Sequence, residues 1–220
     1  MLLSIFFSLN FFCQTQHSEE FAIIDSLIAV KKYAQAKSKA AWLTEEQTPD
    51  SISAKAHLYL GKIELLTGNL DLALSEYFEA REFLKYLDAE DKANLFSGIG
   101  VVYSKSQNFD DAISNFKHAL QYAQQDINRL KILVNLGGVS MEAGKEQVPF
   151  IYAEALEIAK KLKEADILFC LSYEGDMEAM GTRNLPFYAG TAIAYGLPPE
   201  EGVKSITLNT AKILGIEATV

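Results

Sequence analysis

The sequence predicts a mainly α-helical chain: about four helix pairs forming an α-α superhelix, followed by a short βα-type fragment with two or three helices. Three observations lead there. Three segments of the chain align with one another on glycines, alanines and aromatics. The apolar pattern changes character after Lys163. A wholly apolar leader precedes the first helical pattern. A search for internal periods comes first, because a missed repeat misassigns the whole fold.

The leader, MLLSIFFSLNFFC, is followed at once by polar QTQHSEE. A run of this length is too short to span a bilayer and matches the apolar core of a secretory signal. Residues 1–16 are therefore expected to be a signal peptide and the chain to be periplasmic or secreted. The pattern departs from such signals in having no Lys or Arg before Ser18. Cys13 leaves open a lipid-anchored form, although Phe-Phe before it departs from the small residues a lipobox prefers. A buried first helix is the remaining alternative. With only Cys13 and Cys170, the chain offers neither a disulfide framework nor a thiolate metal site.

Residues 17–163 carry the repeat. AHLYLGKIELLTGNLDLALSEYFEA (56–80), LFSGIGVVYSKSQNFDDAISNFKHA (95–119) and KILVNLGGVSMEAGKEQVPFIYAEA (131–155) align, the last irregular near Pro149. Gly61, Gly100 and Gly137 recur at intervals of 39 and 37 residues. Each unit reads as two amphipathic helices, A and B. Ile99, Val102 and Tyr103 share one face of a helix A, and Ile113, Phe116 and Leu120 share one face of a helix B. Gly100 is expected where helix A approaches its partner closely, with Ala112 and Ala119 opposite, because larger side chains would force the helices apart. GNLD and QNFD supply turn residues, then Asp71 or Asp110 near the next helix start, where a carboxylate suits the positive end of the dipole.

These residues resemble the tetratricopeptide repeat. Leu60-Gly61, Ala73, Tyr77 and Ala80 fill one copy of that family's pattern. Gly100, Tyr103, Ala112, Phe116 and Ala119 fill the next, and Leu136-Gly137, Tyr152 and Ala155 a degenerate third; Tyr33, Ala36 and Ala40 suggest an earlier one. The family period is about 34 residues, so the excess here implies longer turns between repeats. The resemblance implies a scaffold that holds a protein or peptide partner in a concave groove lined by helix A. By position in the family pattern, Lys55, Lys62, Asn94, Ser97, Lys105, Lys131 and Asn135 would line it. An asparagine at the place of Asn135 often contacts peptide backbone in the family. The lysines suit an acidic peptide end, while each alone also reads as a solvated helix residue. The family's carboxylate-clamp pattern is not reproduced. A net charge of −9 argues against nucleic acid, whose binding relies on a basic surface.

Residues 164–220 read differently. ILFCLSYEGD suggests a buried strand and loop. LPFYAGTAIAYGL and PPEEGVKSITLNTAKILG read as helices, the second with Pro199 and Glu200 in its first turn and Gly215 at its C-terminal cap. This stretch resembles the C-terminal end of imidazolonepropionase-like amidohydrolases. Ala192, Ala194, Gly196, Leu197, Glu201, Ile206, Thr207, Asn209, Ala211, Lys212, Leu214, Gly215 and Ile216 match the family wording. The resemblance implies a piece of a metal-dependent hydrolase barrel, with the strand-eight acid at Glu174 or Asp176. A complete barrel takes about 250 residues, and a water-activating metal such as zinc needs several convergent ligands. The tail contains no histidine, and His17, His57 and His118 stand apart in the sequence. No catalytic residue, metal ligand or cofactor is therefore expected unless a complete site is assembled. The tail could instead cap the repeats, with Phe187, Ile193, Ile206 and Ile213 as core. Two alternatives to the scaffold remain: a hydrolase fragment that needs the rest of its barrel, and a rearranged or truncated gene product without a selected function.

Overall fold

The computed structural model describes residues 18–45, 48–164, 189–190, 193–194 and 198–213, and within these the chain is mainly helical, with no strand. Helix α1 spans residues 18–29 and is followed by α2 (Tyr33–Trp42), α3 (Asp50–Leu66) and α4 (Leu70–Glu82). A single 3₁₀ turn, Leu84–Tyr86, leads to α5 (Ala89–Lys105), α6 (Phe109–Tyr122), α7 (Asp126–Glu142) and α8 (Val148–Glu164). Two short helices follow, α9 (Pro199–Ser205) and α10 (Leu208–Ile213). None of the described helices is long and apolar enough to cross a membrane. The strand expected around Ile167–Leu171, the leader, both cysteines and His17 lie outside the described residues.

The eight long helices form four hairpins joined by one repeated turn. At the end of each first helix a residue adopts a left-handed backbone: Lys31 (φ 58°), Gly68 (φ 84°), Gln107 (φ 60°) and Gly144 (φ 63°). The next amide closes the same long bond each time. Lys32 donates to the Leu27 carbonyl at 2.8 Å, and Asn69 to Glu64, Asn108 to Tyr103 and Lys145 to Ser140 at 2.9 Å. This is the Schellman closure, which satisfies carbonyls that a helix end would otherwise leave unpaired. Between hairpins the connections differ. The α4–α5 link contains the 3₁₀ turn and ends on Asp88, whose side chain caps α5 by accepting from the Asp91 amide at 2.8 Å. The α6–α7 link is only residues 123–125.

Within a hairpin, an aromatic ring of the second helix lies on a glycine of the first. A Cβ on Gly61 would come within 2.5 Å of the Tyr77 ring, one on Gly100 within 2.9 Å of Phe116, and one on Gly137 within 2.7 Å of Tyr152. Gly100 does mark a close approach, but the group facing it is Phe116, between the two alanines named from sequence. Tyr77 reaches further, because a Cβ on Gly98 of the following hairpin would meet its ring and hydroxyl. Tyr77 is thereby keyed into two successive first helices.

The chain divides into two compact units, Met1–Ala123 and Gln124–Val220. In the first unit α3 is buried on two sides. Ala56, Leu60 and Ile63 pack with Phe21 and Ile24 of α1, Ala36 and Ala40 of α2, and Leu43. Ala54 and Leu58 pack with Ala73, Tyr77 and Ala80 of α4 and Leu95, Ile99 and Val102 of α5. In the second unit α7 packs against α8, and Ile132, Leu133, Leu136 and Val139 of α7 and Ala155, Leu156, Ala159 and Leu162 of α8 are buried. The stretch read from sequence as one helix up to Gly215 is broken at Ile206–Thr207. Ser205 Oγ bonds back to the Gly202 carbonyl at 2.7 Å, and Thr207 Oγ1 to that of Val203 at 2.8 Å. Such hydroxyls compete with the backbone ladder. Ile193 lies against Gly202, where a Cβ would meet it at 2.6 Å, while Ile206 is half-buried. Phe187 and Gly215 lie outside the described residues.

Candidate functional site

The first helices of the three hairpins in the first unit are joined on one face by a ladder of aromatic and charged side chains. Phe21 of α1 stacks on Tyr59 of α3, with ring centroids 5.2 Å apart and planes inclined by 26°. The Tyr59 hydroxyl donates to Asp25 Oδ2 at 2.6 Å. Lys62 Nζ reaches the other oxygen of Asp25 at 3.3 Å and lies 5.4 Å from the centre of the Tyr59 ring. Two turns before Lys62, Lys55 Nζ pairs with Asp91 of α5 at 2.9 Å and lies 5.5 Å from the Phe21 ring centre. The aromatic pair is thus flanked by two ammonium groups, each held by a carboxylate of a neighbouring hairpin. Helical spacing accounts for the α3 contribution, since positions 55, 59 and 62 share one face.

The two rungs differ in shelter. The Lys62 and Asp25 side chains are 47% and 51% exposed, so water competes for both ends. Lys55 and Asp91 are 31% and 14% exposed. Burial pushes the Asp91 carboxyl above the usual carboxylate range; Lys55 opposes this, and the charges of Asp88 and Asp25 add to it. Burial, the bond to Asp25 and the charges of Asp25 and Asp91 all drive the Tyr59 phenol upward, so it stays a protonated donor. The inner rung is a structural tie. The outer rung presents a cation, a carboxylate and an aromatic edge that an incoming ligand can contact.

Of the residues expected to line a groove, Lys55 and Lys62 meet in this ladder, both engaged by carboxylates. Asn94 and Lys105 are exposed on α5, and Ser97 is half-buried there. Lys131 is exposed and Asn135 half-buried on α7, in the second unit. Sequence reasoning passed over Phe21, Asp25, Tyr59 and Asp91. Tyr59 stood in view, four residues after Lys55 and three before Lys62. Asp25 did not, because its partners lie 34 and 37 positions away.

His57 Nδ1 lies 2.7 Å from Glu76 Oε2 between α3 and α4, and the His118 ring lies 5.5 Å from that of Phe96. Among the described residues no three His, Cys, Asp or Glu side chains are grouped to hold a metal ion. Glu174 and Asp176, the acids that the amidohydrolase resemblance points to, lie outside those residues. No protein-family model matches the sequence, and no curated protein matches it.

Proposed function

We propose that this chain is a protein–protein interaction scaffold of tetratricopeptide type, exported from the cytoplasm, that holds a partner on the exposed faces of its first helices. The observation that carries the reading is the repeated hairpin: one turn geometry four times, and an aromatic ring of the second helix set on a glycine of the first three times. Helices stacked in register present their first-helix side chains side by side, and extended binding surfaces arise that way. On the first unit that surface is the Phe21–Tyr59 ladder with its open Lys62–Asp25 rung, together with Asn94, Ser97 and Lys105 of α5. An acidic segment of a partner takes the place of Asp25 on Lys62, at small cost because the pair is solvent-exposed. The apolar leader supports export. The reading rests on the hairpins alone and gives the amidohydrolase-like tail no catalytic part.

The test is affinity capture with the full chain beside a Lys62→Glu, Lys105→Glu double variant of unchanged thermal stability. A partner retained by the parent chain and lost by the variant supports the reading. Equal capture removes these residues from the binding face. No specific capture by either protein overturns the scaffold.

A further inference from the structure

The outward face of α7 differs from the matching face of α5. Ile127, Val134 and Met141 are 57%, 45% and 53% exposed, although all three are apolar. They recur every seven residues, so they form one straight stripe about 21 Å long on a helix rising 1.5 Å per residue. Gly138 lies in the same stripe, and a Cβ there would meet nothing within 4 Å, leaving room for a neighbouring backbone. Lys131 stands exposed in the same row, and no ion pair to it is found among the described residues. The matching positions of α5 are Glu90, Ser97 and Ser104, whereas those of α3 are Ser51, Leu58 and Leu65, of which Leu58 is buried in the cluster shared with α4 and α5; in that hairpin the row receives a following helix. Single exposed apolar residues are ordinary on protein surfaces. Three at heptad spacing beside an open glycine make the seam that a second helix fits.

We propose that this face docks an amphipathic helix of a partner protein, one that carries apolar side chains at heptad spacing and a carboxylate opposite Lys131. The proposal rests on the scaffold reading and names the chemistry of what the scaffold holds. Charge disfavours a second copy of the chain as occupant. An antiparallel pair centred on Val134 would set Asp126 against Glu142, and a parallel one would set Lys131 against Lys131. A partner helix with an acid at that place meets Lys131 with opposite charge and fills the open space at Gly138.

The test uses the full chain and two synthetic helical peptides with leucine at heptad positions, one carrying glutamate and the other lysine at the flanking position. Fluorescence anisotropy is expected to show one glutamate peptide bound per chain. Val134→Asp should weaken it by about tenfold or more. Lys131→Glu should weaken the glutamate peptide and strengthen the lysine peptide. Absence of binding, indifference to Val134→Asp, or an equal response of both peptides to Lys131→Glu overturns the proposal. So does a doubled mass in light scattering that Val134→Asp abolishes, which would assign the face to a second copy. Slow maleimide labelling of Val134→Cys in a Cys13→Ser, Cys170→Ser chain would assign it to another part of the same chain and equally overturn it. In each case partner capture that depends on Lys62 and Lys105 would leave the scaffold reading standing.

Discussion

Glu64 shows how one residue ties two hairpins together. It is buried on α3, accepts a bond from Asn69 Nδ2 at 2.7 Å in the turn of its own hairpin, and pairs with Lys37 of α2 at 2.5 Å. Burial pushes its carboxyl upward, but the bonds from Lys37 and Asn69, with the charge of Lys37, outweigh that and hold it below the usual range. A carboxylate with a depressed folded pKa adds stability above its unfolded pKa, and that stability is lost as pH falls through the folded value. Replacing it by Gln should therefore cost about 1 kcal/mol at pH 7, a modest figure because Lys37 is half exposed to solvent. Melting temperatures of parent and Glu64→Gln chains from pH 7 to pH 3 should converge on acidification. A gap that stays constant would show that Glu64 is not held ionised by these partners. Neither partnership could be read from the residue itself, since glutamate mid-helix ordinarily faces solvent.

At the scale of the element, the repeated turn separates conformational cost from packing. Gly68 and Gln107 occupy the same left-handed place in successive hairpins. Nothing lies within 4 Å of a Cβ built on Gly68, so a side chain there is penalised by backbone conformation alone. A left-handed residue other than glycine costs about 1–2 kcal/mol, partly offset by the greater unfolded-state freedom of glycine. Gly68→Ala should lower stability by about 1 kcal/mol and Gln107→Gly should raise it by up to about 1 kcal/mol, with the urea m-value unchanged in both. Opposite signs are the essential result; two destabilising changes would mean that Gln107 contributes through its side chain. Sequence displayed the turn at GNLD and QNFD, where small and polar residues follow a helical pattern. It concealed the same turn at Lys31, where the closing bond from the following amide holds a residue that does not itself favour the conformation.

At the scale of the molecule, two apolar clusters described in the first unit are built wholly from residues that precede Ala123. A fragment comprising residues 18–123 therefore contains every side chain of those clusters. It should melt cooperatively by circular dichroism with a helical spectrum, as repeat arrays do when neighbouring units bury one another. A broad, non-cooperative melt would mean that this unit draws its stability from the rest of the chain.

The helix pairs were legible in the amino acids because local rules make them: apolar positions three and four apart, glycine and asparagine where the chain reverses, acids in the first turns. Gly100 likewise announced a close approach within its hairpin. Tertiary structure alone decided that Phe116 fills the space at Gly100, that Tyr77 is keyed into two hairpins, and that Lys55 and Lys62 are engaged by Asp91 and Asp25. The reason is range. Periodicity records which face of a helix is apolar, whereas burial, ion pairing and the direction of a pKa shift depend on groups up to 37 positions away, which only packing brings together.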